Sequence, residues 1–223
     1  MSKKALVVGA TGLVGKALVD LLLRKDYYEE IIVLTRRETG VTDSRLKTVL
    51  IDNFDNLADF KDQMNAHDIY CSIGTTRKKA GSKEAFLKID FEYPMELARL
   101  TMVQPDFQQF LLVSSLGANA DSPLFYNETK GKLEDALIAL DMKALKIFQP
   151  SLLLGKRDEF RPLEEVGKFF SAVLSFFVVG SKKRLWSIKD EEVADSMYQV
   201  AKKNEPGFKR YKPNDMLRMI YSW

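Results

Sequence analysis

The chain has 223 residues, 46% of them hydrophobic, so it is long enough to bury a large core within one domain. Its 34 basic and 31 acidic residues are dispersed and leave a net charge of only +3, which argues against a nucleic-acid-binding arm. A single cysteine and a single histidine exclude an intrachain disulfide and argue against a multi-cysteine or histidine-rich metal site and against Ser-His-Asp hydrolysis. We therefore predict no bound metal and no nucleic-acid partner.

The features that bear on location favour the cytoplasm. A single cysteine, Cys71, fits a reducing compartment. Residues 1–4 lead directly into the first apolar run, which leaves no room for a signal peptide. The longest apolar run, residues 169–179, is too short to span a bilayer. We expect a cytoplasmic protein without a membrane partner.

Apolar runs alternate with helical patterns along most of the chain. The predicted strands are residues 5–8, 30–35, 46–51, 68–73, 109–114 and 144–148, and the predicted helices are residues 12–24, 53–64, 93–102 and 126–140. This alternation is typical of an α/β protein with a doubly wound parallel sheet. We predict one Rossmann-type domain over residues 1–223.

The pattern changes after the sixth predicted strand. Residues 151–223 contain a helical pattern rich in phenylalanine around residues 166–177 and a last helix at 189–203. In doubly wound proteins, chain added here covers the carboxyl ends of the strands, so we predict that residues 151–223 contribute a small substrate-covering lid. The phenylalanine spacing also fits core packing, a dimer face or an apolar substrate pocket.

Three glycines spaced three apart follow the first strand and open the first helix. Such a turn suits a dinucleotide, because the first glycine permits the tight turn, the second lets backbone N–H groups approach a pyrophosphate, and the third lets helix and sheet pack closely. The alternative is a turn that serves packing only. We predict that the cofactor is held here by Gly9, Thr11, Gly12, Leu13, Val14 and Gly15.

The end of the second strand bears on which nucleotide binds. An acidic residue near this position typically bonds the ribose 2′-hydroxyl of NAD, but here the strand ends in Thr35, Arg36 and Arg37. Guanidinium groups suit the 2′-phosphate of NADP, so we predict NADP rather than NAD, with Arg36 as the main contact. The alternative is two solvated arginines. Asp52, at the end of the third strand, is a candidate to receive the adenine amino group.

Three polar residues near the fifth strand predict a catalytic set. Ser115 follows the strand, and Tyr126 and Lys130 lie four apart, on one face of the next helix. A free tyrosine has a pKa of about 10, and a neighbouring ammonium helps it to exchange a proton at neutral pH. Tyr198 and Lys202 share the same spacing but lack a preceding strand-end serine, so only the first set is predicted to be catalytic.

These motifs resemble those of short-chain dehydrogenases/reductases of the atypical or extended kind, and within them most closely the HIV Tat-interacting protein family of oxidoreductases. The resemblance rests on the glycine turn, the Ser115, Tyr126 and Lys130 set, and residues 71–81, 114–118 and 148–153. It implies that the cofactor is also contacted by Gly74, Thr75, Tyr126, Lys130, Pro150 and Leu152. Homodimers are common in this family. Asp90 stands about where many extended members have an asparagine, so we expect proton relay to differ here.

The sequence favours an NADP(H)-dependent oxidoreductase acting on a small-molecule carbonyl or secondary alcohol, with Tyr126 as proton donor or acceptor and Ser115 holding the substrate oxygen. The second hypothesis is a regulatory protein that senses NADPH and turns over little or no substrate. A nucleotide-sugar epimerase is a third hypothesis, but it needs a substantial sugar-nucleotide domain, and few residues follow the sixth strand.

Overall fold

The computed structural model describes residues 3–154 and 187–221. The strands are β1 (Lys4–Val8), β2 (Glu30–Thr35), β3 (Leu46–Leu50), β4 (Asp68–Cys71), β5 (Gln109–Val113), β6 (Ala144–Phe148), β7 (Leu152–Leu154), β8 (Ser187–Lys189) and β9 (Gly207–Tyr211). The α-helices are α1 (Leu13–Leu23), α2 (Arg77–Ala80), α3 (Lys83–Leu87), α4 (Tyr93–Met102), α5 (Phe125–Ile138), α6 (Asp190–Lys203) and α7 (Pro213–Tyr221). A 3-10 helical segment spans Phe54–Gln63, and a π-helical turn spans Lys88–Glu92.

Seven parallel strands form the main sheet, in the order β3-β2-β1-β4-β5-β6-β9. All six strands predicted from the sequence are present, with ends within two residues of the expected positions. The doubly wound parallel sheet is therefore confirmed. The seventh strand, β9, was not predicted, and it pairs with β6 along its whole length, from Ala144 opposite Gly207 to Phe148 opposite Tyr211.

Helices cover both faces of this sheet, and strands β1, β2, β4, β5 and β6 each supply side chains to two cores. Along β1, Ala5 and Val7 pack on one side with α1, α6 and α7, whereas Leu6 and Val8 pack on the other with the 3-10 segment, α4 and α5. Burial on both faces explains why the strands are continuously apolar rather than alternating. Two-sided burial also fixes the positions of the strand ends that build the candidate site.

The predicted lid, residues 151–223, divides into parts with different positions. The phenylalanine-rich helix expected around residues 166–177 lies outside the described residues. Of the remainder, β7 and β8 form a separate two-stranded parallel sheet, α6 packs in the layer beside α1, and β9 extends the main sheet. Residues 190–221 therefore belong to the main domain. Apolar side chains of α6 and α7 pack in the same core as side chains of β1 and β5, and β9 extends the sheet.

The strand order reverses at β1, which has β2 on one side and β4 on the other. The connection after β1 leads to β2 on one side, and the connection after β4 leads to β5 on the other. A crevice therefore forms outside the carboxyl ends of β1 and β4. Ligands of doubly wound proteins bind at this kind of switch point. The glycine turn after β1 and the loop after β4 both lie there.

Candidate functional site

The three glycines of the first turn have distinct steric roles. Gly9 has a φ of +95°, and a Cβ there would lie 2.6 Å from the Ser72 carbonyl group. A Cβ on Gly15 would overlap the Gly9 carbonyl group and lie 2.7 Å from Ser72 Oγ. Ser72 Oγ in turn donates hydrogen bonds to the Val8 and Gly9 carbonyl oxygens. Gly9 and Gly15 are therefore required by the close approach of β1, α1 and the end of β4.

Gly12 differs because the position that a Cβ would occupy faces solvent. A Cβ on Gly12 would meet only the Gly9 carbonyl oxygen, at 3.2 Å, and both Thr11 and Gly12 are exposed. Gly12 is also the N-cap of α1, and no side chain caps this helix. Within the described part of the chain, the first N–H groups of α1, beginning at Leu13 and Val14, thus have no side-chain acceptor, at a helix end whose dipole favours an anion.

A cluster of charged groups lies at the ends of β2 and β3. Tyr93 donates a hydrogen bond to Asp55 at 2.6 Å, and Lys88 Nζ lies 2.8 Å from the same carboxylate. Burial, followed by the hydrogen bond to Asp55, raises the pKa of Tyr93 to about 12, and the positive charge of Arg36 opposes this rise. The Arg36 guanidinium is exposed and near enough to Tyr93, the first residue of α4, to act on its pKa.

Two more predicted contacts lie beside this cluster. Arg37 is exposed, and its backbone forms a tight turn with the Thr35 hydroxyl. Asp52 is exposed just beyond β3, where the Ile51 N–H still donates to the Thr35 carbonyl oxygen. Strands are about 4.8 Å apart, with three spacings from β2 to β5 and four from β3 to β5, so Arg37 lies roughly 14 Å and Asp52 roughly 19 Å along the sheet edge from the predicted catalytic serine.

The loop after β4 meets α5 through a buried carboxylate. The Thr75 N–H donates to Asp90 Oδ2 at 2.8 Å, and Lys130 Nζ lies 2.8 Å from Asp90 Oδ1. A Cβ on Gly74 would lie 3.4 Å from Asp90 Oδ1 and 3.7 Å from Lys130 Nζ. The structure therefore brings together Gly74, Thr75 and Lys130, which the sequence assigned to one site.

Lys130 is buried in surroundings that favour its charged form. Burial lowers the pKa of its amine, but the Asp90 carboxylate and Tyr126 outweigh burial, and the pKa lies above the ordinary value. Tyr126 stands one helical turn earlier on α5, partly buried, with its ring 5.9 Å from that of Phe86. A cation held one turn from a phenol is the electrostatic requirement for proton exchange by tyrosine.

Ser115 and Pro150 are neighbours at the ends of β5 and β6. The Leu116 N–H donates to the Pro150 carbonyl oxygen at 2.9 Å, which extends the pairing of the two strands past their ends. Ser115 is partly buried, and its hydroxyl donates a long hydrogen bond to the Leu116 carbonyl oxygen at 3.3 Å. Leu152 begins β7, opposite Ser187 of β8.

A second buried carboxylate, Glu134 on α5, is hydrogen-bonded to these strand ends. It accepts hydrogen bonds from Ser114 Oγ at 2.5 Å, from Gln149 Nε2 at 3.0 Å and from Arg210 Nε at 2.8 Å. These donors come from the ends of β5 and β6 and from β9, whereas Glu134 lies on α5, one turn after Lys130. The network thereby ties the strand ends to the helix that carries Tyr126.

Sequence reasoning did not include Asp90 or Glu134 among the site residues. Asp90 was noted only as a departure from a family pattern, and Glu134 was not noted. Both are acidic residues in helical segments, where a carboxylate is usually a solvated surface group. Asp90 lies between the apolar residues Ile89 and Phe91, whereas Glu134 is followed by Asp135 and gives no such signal. In the structure, Asp90 is 0% and Glu134 1% exposed.

Comparison with known proteins finds a matching family, several relatives and several similar folds. The model of the NAD-dependent epimerase/dehydratase family matches residues 5–139. Protein FMP52 of Candida albicans is 40% identical over 157 residues, covering 69% of this chain and 68% of that protein. Protein HTATIP2 of Rattus norvegicus is 30% identical over 176 residues, covering 77% and 72%. The enzyme WbmF of Bordetella bronchiseptica, solved in complex with NAD⁺, has a TM-score of 0.70 at 14% identity, covering 95% and 73%.

These comparisons correct the predicted location. The FMP52 relatives are named mitochondrial proteins, which contradicts the expectation of a cytoplasmic protein. That expectation was wrong because it rested on cysteine usage and on the start of the chain, and neither distinguishes the cytoplasm from other reducing compartments. Among residues 3–154 and 187–221, no helix is long and apolar enough to cross a membrane.

Proposed function

Because the chain belongs to the NAD-dependent epimerase/dehydratase family, we propose that it is an NADP(H)-dependent oxidoreductase of the short-chain dehydrogenase/reductase type, acting on a carbonyl or secondary alcohol. The observation that carries the proposal is the buried ammonium of Lys130, one helical turn from Tyr126. Both lie at the sheet edge where the glycine turn also stands. Cofactor contacts and a proton-exchanging group thus converge on one crevice.

The first turn fits a dinucleotide. The open face of Gly12 and the uncapped N-terminus of α1 leave space and N–H donors for a pyrophosphate, with Thr11, Leu13 and Val14 around it. Further along the edge, Thr75 and Lys130 would contact the nicotinamide ribose, and Pro150 and Leu152 would border the ring. The order of these residues follows the strand order, so an extended dinucleotide would meet them in sequence.

The preference for NADP rests on charge. Arg36 and Arg37 are exposed at the end of β2, and no acidic side chain follows that strand before Glu38. A guanidinium group binds a phosphate through charge-assisted hydrogen bonds, whereas a ribose 2′-hydroxyl calls for a carboxylate acceptor. Asp52, on the neighbouring loop, is the candidate for the adenine amino group.

The residues of the chain would handle the proton. When bound, nicotinamide supplies or accepts hydride, which is chemistry that no side chain provides. Ser115 holds the substrate oxygen, and Tyr126 Oη donates a proton to that oxygen during reduction or removes it during oxidation. Lys130 stabilises the negative charge that Tyr126 carries after donating. Burial strengthens this interaction, because it lowers the local dielectric constant.

The test combines binding with turnover. NADPH and NADH are titrated by nicotinamide fluorescence into the native chain and into Arg36→Ala, and a panel of aldehydes and ketones is then screened for NADPH oxidation. We expect tighter binding of NADPH than NADH, with a preference at least tenfold smaller in Arg36→Ala. Any turnover should fall by 100-fold or more in Tyr126→Phe. Tyr198→Phe is the matched control, since Tyr198 has the same spacing to a lysine but lies on α6.

Each other outcome points elsewhere. Tight NADPH binding without oxidation by any carbonyl compound would favour the NADPH-sensing hypothesis. Equal loss of turnover in Tyr126→Phe and Tyr198→Phe would contradict the assignment of Tyr126. Failure to bind either nucleotide would overturn both hypotheses, and interconversion of sugar nucleotides without net NADPH oxidation would favour an epimerase.

A further inference from the structure

Asp90 is a buried carboxylate at an irregular point of the chain. It lies in the middle of the π-helical turn Lys88–Glu92, which joins α3 to α4. Its side chain is buried, whereas Lys88 and Glu92 in the same turn are not. Single π-helical turns occur frequently at functional sites, because the wider turn redirects a side chain. Here the turn directs Asp90 between the loop after β4 and α5.

Each oxygen of this carboxylate has a different partner. Oδ2 accepts the hydrogen bond of the Thr75 N–H at 2.8 Å, and Oδ1 lies 2.8 Å from Lys130 Nζ. Thr75 belongs to the loop assigned to the cofactor, and Lys130 belongs to the helix assigned to proton exchange. One side chain thus connects the two halves of the proposed site.

The environment of the pair argues for more than a stabilising role. The Lys130 and Asp90 side chains are only 4% and 1% exposed. Removing two charges from water costs about as much as their attraction returns, so apolar residues of similar volume commonly stabilise such a position equally well. Stability alone therefore does not explain why this position holds an ion pair. The pair is better explained by the positive charge that it keeps on Lys130, one helical turn from Tyr126.

We propose that Asp90 is a positioning residue that acts through Lys130, holding its ammonium charged and fixed beside Tyr126 while anchoring the Thr75 loop. The inference rests on the proposed function, because that function gives Lys130 its role. Asp90 itself touches neither substrate nor reacting atoms. Its effect is to keep the Lys130 Nζ in one place and one protonation state.

Three titratable groups face the Lys130 amine in the described part of the chain: Asp90 from the π-helical turn, Tyr126 from α5 and Cys71 from β4. Burial raises the pKa of the Cys71 thiol to about 11, so this group stays neutral near pH 7. Of these three groups, Asp90 is the only carboxylate. Its negative charge raises the pKa of Lys130, which burial alone would lower.

The test follows Lys130 directly, so it requires no substrate. The protein is labelled with ¹⁵N at lysine Nζ, and the Lys130 signal is identified by its loss in Lys130→Met. In the native chain we expect Lys130 to remain protonated beyond pH 10.5, the ordinary lysine value. In Asp90→Asn, which keeps shape but removes charge, it should lose its proton below pH 10.5, because burial is no longer offset.

Glu128→Gln is the matched control, since Glu128 forms an exposed pair with Lys132 on the same helix, at 2.6 Å, and its loss should leave the Lys130 titration unchanged. Where a carbonyl substrate has been found, the pH profile of kcat in Asp90→Asn should decline with the same midpoint as the nitrogen signal. A merely structural role would lower activity equally at every pH.

Two results would overturn the proposal. The first is a native Lys130 that titrates below pH 10.5, and this result stands even if Asp90→Asn does not fold. The second is a folded Asp90→Asn in which Lys130 titrates as in the native chain. Absence of turnover in the native chain would instead count against the proposed function, and the nitrogen titration would still decide the role of Asp90.

Discussion

Two glycines of the first turn make opposite predictions about the same substitution. A Cβ on Gly15 would overlap the Gly9 carbonyl group and crowd Ser72 Oγ, whereas on Gly12 it would meet only one oxygen, at 3.2 Å. Gly15→Ala should therefore lower the free energy of unfolding by about 1–3 kcal/mol, the usual cost of overpacking. Gly12→Ala should cost less than about 1 kcal/mol, because its φ of −80° suits alanine. Chemical denaturation of both variants measures the difference.

The same pair separates folding from cofactor binding. Gly12→Ala should keep the native fold and bind NADPH more weakly, because the added methyl group stands on the face proposed for the pyrophosphate. Equal loss of stability in the two variants would show that the turn is packed differently. Unchanged NADPH affinity in Gly12→Ala would remove the turn from the cofactor site.

At the residue scale, predictability depends on whether a residue's role is local. The glycines were identifiable because their spacing directly after a strand is typical of a dinucleotide-binding turn, although Gly9 and Gly15 also face Ser72 at the end of β4. Asp90 was not identified as a site residue, since its partners come from the loop after β4 and from α5. Only the packing of those elements converts a helical aspartate into a buried link between them.

At the element scale, most of the predicted strands are buried on both faces, and the edge strand β3, which is partly exposed, was still predicted from its apolar residues. The strands β1, β2, β4, β5 and β6 are almost wholly buried, and so each is a recognisable apolar run. The edge strand β9 has the sequence Gly-Phe-Lys-Arg-Tyr and is exposed except at Tyr211. Charged residues are usual on edge strands, where they discourage pairing with other chains, but they hide the strand pattern. Residues 53–64 were expected to be an α-helix, and they form a 3-10 segment with a break at Asn56.

The attachment of β9 to the sheet gives an element-scale prediction. Arg210 Nε donates to Glu134, whose side chain is 1% exposed, and its removal would leave that carboxylate without its cationic partner. Arg210→Ala should therefore lower the free energy of unfolding by about 2 kcal/mol, less than for a fully buried pair because Arg210 is itself 38% exposed. Thermal and chemical denaturation measure the loss.

Lys209→Ala is the control on the same strand. Lys209 is exposed, with its ammonium 5.2 Å from the centre of the Tyr211 ring, so its removal should cost at most about 1 kcal/mol. Similar losses in the two variants would indicate that β9 responds to any truncation, and that the bond to Glu134 has no special weight.

At the scale of the whole molecule, the proposed site is an edge rather than a pocket on one element. Its residues follow the ends of six strands, which the sheet arranges in the order β3-β2-β1-β4-β5-β6. The strand pattern predicted the doubly wound parallel sheet, and right-handed crossover connections are what bring the carboxyl ends of its strands to one edge. Side-chain contacts across the edge, such as that of Asp90 with Lys130, could not be predicted, because they depend on loop paths.

Because the edge draws on so many strands, a cofactor bound there should stabilise the entire fold, and the single cysteine offers a direct measure. Cys71 is 0% exposed, at the end of β4, and burial raises the pKa of its thiol to about 11, so alkylation by iodoacetamide requires the structure to open. A ligand that binds only the folded state lowers the open fraction by the factor 1 + [ligand]/Kd. NADPH at 100 times its Kd should therefore slow alkylation about 100-fold, whereas Arg36→Ala at the same NADPH concentration should be protected less. Fast alkylation that NADPH does not change would mean that the end of β4 opens independently of the cofactor site, contrary to a crevice built on β1 and β4 together.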